Sequence, residues 1–99
     1  MANQLNPDVK QLAPIRVGIL GFGGLGQAAA RVLAPKQEMS WVAGADHKGY
    51  AYVTGGLDPA QAIATYQSQG SLGYLEPGGV LSHSSLQDLV SQAKVDGYF

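Results

Sequence analysis

A short glycine cluster, set between an apolar run and a stretch with helical periodicity, constrains this chain more than any other feature. It is Gly21-Phe22-Gly23-Gly24-Leu25-Gly26, with glycines in the pattern G-x-G-x-x-G at 21, 23 and 26. Before it, Ile15-Arg16-Val17-Gly18-Ile19-Leu20 is short, rich in β-branched residues and apolar almost throughout, as in a strand covered on both faces. After it, Leu25, Ala28, Ala29, Val32 and Leu33 fall on one stripe of an amphipathic helix, which Pro35 stops. Ser40-Trp41-Val42-Ala43-Gly44-Ala45 then reads as a second strand running into Asp46. Strand, helix and strand in that order make one βαβ unit, whose crossover is expected to be right-handed.

Each glycine answers a physical need. Gly21 permits the tight turn out of the strand, Gly23 lets the backbone approach a pyrophosphate, and Gly26 lets the helix pack closely on the strand. The helix start offers unpaired N–H groups and the positive end of its dipole to phosphate. Asp46 follows the loop by about twenty residues, the interval at which an acid can accept hydrogen bonds from an adenosine ribose. The expected ligand is a dinucleotide, NAD or NADP, held by Gly21, Phe22, Gly23, Gly24, Leu25, Gly26, Asp46, His47 and Lys48. A carboxylate at the 2′-hydroxyl favours NAD, whereas a cation at His47 or Lys48 would hold the 2′-phosphate of NADP; both stay open. Two other phosphate loops fit worse: a P-loop would need Lys and Ser or Thr where Gln27 stands, and a kinase loop joins two strands.

Further along, residues 49–56 read as loop with a short turn of structure. Asp58-Pro59 opens a helix through Ala60, Ile63 and Ala64 to Gly70, with Asp as N-cap and Pro at the first helical position. Glu76-Pro77-Gly78-Gly79 is a turn by composition, and Val80-Leu81 a brief strand. Ser85-Leu86-Gln87-Asp88 has the capping-box pattern, with Leu86, Leu89, Val90 and Ala93 on one helical face. Val95-Asp96-Gly97-Tyr98-Phe99 reads as the entry to another strand. The expectation is an α/β Rossmann-type domain over residues 15–99, its mostly parallel sheet in the order 3-2-1-4 and flanked by helices. Residues 1–14 would form a flexible lead-in, and the whole would be the truncated N-terminal portion of a larger protein.

Composition narrows the partners. Six Lys and Arg stand against seven Asp and Glu, and the cations are scattered, so neither nucleic acid nor an anionic membrane surface is expected. There is no cysteine, which excludes disulfides, thiolate metal sites and cysteine nucleophiles. The first residues lack the basic start and apolar run of a signal peptide, and the reading is cytoplasmic. No metal site is expected from two separated histidines, His47 and His83. Ser82-His83-Ser84-Ser85 reads as a loop with a helix cap rather than a nucleophile and base, and Tyr50, Tyr52 and Tyr74 as packing residues rather than walls for an adenine.

From Ile15 onward the chain resembles the N-terminal domain of NAD(P)-dependent oxidoreductases of the saccharopine dehydrogenase-like kind. More distantly it is similar to the glucose–fructose oxidoreductase and homoserine dehydrogenase families. The likeness rests on residues 17–29, on Ala45-Asp46, and on residues 85–90 and 95–99 as a helix and fourth strand. The resemblance implies that the complete protein transfers hydride to or from a small carbonyl, imine or alcohol, with substrate and proton-transfer residues in a second domain. No residue of this chain is assigned a catalytic role. The expected partners are the dinucleotide and that small molecule, and a homo-oligomer is allowed. The alternatives are a non-catalytic dinucleotide-binding module and a structural subunit of a larger assembly.

Overall fold

In a computed structural model, residues 14–99 are described; the expected lead-in lies outside them, apart from Pro14. β1 (Ile15–Leu20) sits inside a five-stranded sheet with β2 (Met39–Ala45) on one side and β5 (Gly97–Tyr98) on the other, both parallel to it. Helix α1 (Gly24–Leu33) makes the crossover from β1 to β2. This is the βαβ unit read from the sequence. β5 is held by Asp96, whose carboxylate accepts the Arg16 N–H at 2.8 Å while its own N–H donates to the Arg16 carbonyl at 2.7 Å.

The other side of the sheet departs from the expectation. β3 (Gly49–Tyr52) turns back antiparallel on β2, and β4 (Gly79–Leu81) is antiparallel to β3, giving the order β4-β3-β2-β1-β5. The sheet is therefore mixed, and residues 49–52 are strand rather than loop. The tight turn carried by Asp46, His47, Lys48 and Gly49 is the cause, closed by the Asp46 N–H donating to the Gly49 carbonyl at 2.9 Å. A turn this short leaves no chain for a crossover, so the next strand must run antiparallel. The period-two alternation Tyr50-Ala51-Tyr52 then sends the two tyrosines to one face and Ala51 to the other.

Helix α2 (Pro59–Gln69) begins as the sequence indicates: the Asp58 side chain caps the Ala60 N–H, Pro59 occupies the first turn, and Gly70 ends the helix. A 3₁₀ turn (Leu72–Tyr74) leads to β4, and helix α3 (Ser85–Gln92) leads to β5. One face of the sheet meets α1 and α2 through Val17, Ile19, Phe22, Leu33, Trp41 and Ile63; the other meets α3 through Val42, Tyr50 and Leu89. The register slips at Val42, which lies opposite no residue of β1. This bulge lets Val42 and Ala43 both serve the α3 face, with the Trp41 indole N–H donating across it to the Ala43 carbonyl at 2.7 Å.

Two helical stripes differ from the periodicity. In α1 the buried residues are Gly26, Ala30 and Leu33, while Leu25 is 91% and Val32 60% exposed. Gly26 shares the contact with Ala30 and Leu33, and a count of apolar side chains passes over it. In α3, Leu89 is fully buried but Leu86 and Val90 are half exposed.

Candidate functional site

The loop leaving β1 turns at Gly21, whose φ of +90° is a conformation L side chains rarely adopt. Phe22 then drops into the core, 1% exposed, stacked on Trp41 with centroids 5.5 Å apart and edge-on to Tyr66 at 5.4 Å. Burying a ring this completely contributes about 1.5–3 kcal/mol, so Phe22 pins the loop from beneath. The Gln27 amide adds a hydrogen bond to the Phe22 carbonyl at 3.1 Å. Gly26 is fixed by closeness: a Cβ there would stand 2.1 Å from the Gly21 carbonyl oxygen. At Gly23 and Gly24 a Cβ would meet nothing within 4 Å. These two glycines face open space.

Helix α1 has Gly23 as its N-cap and no side-chain cap. Its first bond from the turn below is the Gln27 N–H to the Gly23 carbonyl at 2.9 Å. The N–H groups of Gly24, Leu25 and Gly26 therefore have no carbonyl one turn earlier to receive them. Such a terminus carries partial positive charge and suits an anion.

Two cavities of about 500 Å³ each flank this loop and share Gly21 and Gly23 in their walls. The first is closed by Phe22, Tyr66, Ala45, Asp46 and His47, and on its far side by residues 83–87 at the start of α3. The second runs along Ile19, Leu20, Gly24, Leu25 and Gly26 to Phe99. The sequence-derived site residues divide accordingly, with Gly21, Phe22, Gly23, Asp46 and His47 around the first cavity. Gly24, Leu25 and Gly26 line the second, and Lys48 lines neither. Tyr50, Tyr52 and Tyr74 also stay out of both walls.

Asp46 is 7% exposed, and its carboxylate is occupied. Oδ1 accepts the N–H groups of Lys48 at 2.8 Å and Gly49 at 3.1 Å and the Ser71 hydroxyl at 2.9 Å; Oδ2 accepts the Leu72 N–H at 2.6 Å. None of those four donors lines either cavity. The Asp46 backbone carbonyl accepts from the Ser85 hydroxyl, which ties the end of β2 to the start of α3. The expected capping box is accordingly absent: Ser84 is the N-cap without a side-chain cap bond, and Ser85 is spent on Asp46. Asp88 instead accepts the Ser82 hydroxyl at 2.5 Å.

Sequence reasoning missed Tyr66, His83, Ser84, Leu86 and Gln87 as cavity residues. Tyr66 carried one usable signal, its position three residues after the buried Ile63 on the same face of α2. The others line the cavity because α3 is brought beside the end of β2, which local sequence does not encode.

No family model and no curated protein sequence matches the chain. Solved structures do match in fold. A hyperthermophilic archaeal homoserine dehydrogenase in complex with NADPH superposes with a TM-score of 0.70 at 24% identity, over 86% of this chain and 27% of that one. The homoserine dehydrogenase of Thermoplasma acidophilum gives 0.64 at 20% identity, over 86% and 25%. The chain thus spans about a quarter of the length of these enzymes. The likeness establishes an α/β Rossmann-type fold. Among the described residues no helix is long and apolar enough to cross a membrane.

Proposed function

We propose that this chain is the dinucleotide-binding part of an NAD(P)-dependent oxidoreductase acting on a small carbonyl, imine or alcohol in the cytoplasm. The observation that carries the reading is the glycine loop standing between two cavities of similar size. A mononucleotide needs one such hollow; a ligand with a nucleoside at each end of a pyrophosphate needs two, with an anion-binding backbone between them. Gly23 and Gly24 leave the approach clear, and the first N–H groups of α1 supply donors. The NADPH held by the homoserine dehydrogenase of similar fold supports a nicotinamide cofactor here.

Within this reading the cofactor would supply or accept the hydride, and the residues of this chain bind and orient it. Phe22 keeps the loop in place from below, and Tyr66, His47 and residues 83–87 enclose the adenosine side. Leu20, Leu25 and Phe99 enclose the other side. Substrate selection and proton transfer are assigned to a second domain, as the resemblance implies.

Calorimetric titration of the folded chain with ADP-ribose, which fills the adenosine side and the pyrophosphate site, tests the proposal. Saturable one-to-one binding is expected. A folded chain that takes up no ADP-ribose would reduce the glycine loop to architecture and overturn the assignment.

A further inference from the structure

An acid at the end of the second strand of such a sheet can grip the adenosine ribose and thereby disfavour a 2′-phosphate. Asp46 occupies that position, yet its carboxylate serves a different purpose. The carboxylate accepts four hydrogen bonds, three on Oδ1 from Lys48, Gly49 and Ser71 and one on Oδ2 from Leu72. Three of those donors are backbone N–H groups, which cannot turn away without breaking the β2–β3 turn or freeing the segment that precedes β4. Asp46 borders the cavity and is 7% exposed, while Ser71 and Leu72, which hold its carboxylate, lie outside the cavity wall. The side chains that do face the adenosine side include His47, His83, Ser84 and Gln87, which can donate hydrogen bonds, and no second carboxylate is among them.

We infer that Asp46 is a structural residue rather than the ribose ligand, and that the site accepts a 2′-phosphorylated dinucleotide at least as readily as the unphosphorylated one. The inference rests on the dinucleotide reading and adds the cofactor class that the site admits. Its test compares ADP-ribose with 2′-phospho-ADP-ribose on the same 99-residue chain. The expected ratio of dissociation constants, phosphorylated over unphosphorylated, is one or lower. Asp46→Asn should lower the melting temperature and leave that ratio within about twofold. Should Asp46→Asn not fold, Ser71→Ala keeps the carboxylate and removes one of its donors, and its ratio is expected to match the parent's. An ADP-ribose preference of about tenfold, 1.4 kcal/mol, in the parent chain would overturn the inference while leaving the dinucleotide reading intact. So would a preference that appears once Ser71→Ala releases the carboxylate. Absence of binding by both ligands would remove the dinucleotide reading, and this inference with it.

Discussion

At the glycine loop the backbone stands with its donors unspent and its side chains out of the way, whereas at the Asp46 turn both oxygens of the carboxylate already have partners within the chain. Both regions border the same cavity, and both were singled out by one sequence pattern. The loop leaves its N–H groups available, as the proposed function requires, and the turn spends its carboxylate on holding the protein together. A residue of the right type at the right interval can therefore be kept by folding alone, and hydrogen-bond occupancy separates the two cases.

Substitutions can break or sharpen this contrast, and their expected effects on stability fall in a clear order. Asp46→Ala should be the most damaging. It strands buried donors at Leu72, Gly49 and Ser71, each of which costs about 1–3 kcal/mol when left unsatisfied. Chemical denaturation should show a chain that is barely folded; a loss below about 1 kcal/mol would mean that the turn holds without its carboxylate. Gly26→Ala comes next, because its Cβ would meet the Gly21 carbonyl and force helix and strand apart. About 1–3 kcal/mol is expected from such overpacking, read in the same denaturation experiment.

Tyr98→Phe should act in the opposite direction. The Tyr98 hydroxyl is buried without a hydrogen-bond partner among the described residues, so its removal should raise stability by about 1 kcal/mol. Burial, with a smaller contribution from Tyr52, raises the Tyr98 phenol above its ordinary 10.0. The folded state then holds its proton longer than the unfolded chain does, so stability present below pH 10.0 is lost as pH climbs through the folded value. Melting temperatures followed above that pH should fall less steeply in the variant. Gly23→Val should change stability least, within about 0.5 kcal/mol, because its side chain enters open space. Binding of ADP-ribose should nevertheless be lost; an unchanged affinity would show that nothing approaches the loop there.

The parallel half of the fold was legible for local reasons. The apolar run of β1, the glycines, the helical stripe and β2 follow one another without interruption, and each dictates the next. Helix α2 announced both of its ends through Asp58, Pro59 and Gly70. The antiparallel half was harder to read because its strands are only four and three residues long, and its turn is stabilised from Ser71 and Leu72, which are remote in sequence from Asp46. Likewise the α3 residues of the cavity were visible as a helix, but their meeting with the end of β2 depends on Ser85 reaching the Asp46 carbonyl. Contacts between distant segments decide what a residue is near, and spacing along the chain does not report them.

β5 carries a consequence for the timing of events at the loop. It is the briefest strand of the sheet, its two residues paired with Val17 and Gly18 and its Asp96–Arg16 anchor joining positions at opposite ends of the described chain. Pairing across so long a loop carries a closure cost, and hydrogen exchange on the 99-residue chain should find the β5 amides less protected than those of β1 and β2. When β5 opens, Phe99 leaves with it, and the hollow beside Leu20 and Leu25 loses a wall. The adenosine side has no wall from that strand. A ligand spanning both hollows would therefore find one of them standing ready and the other present only while β5 stays docked.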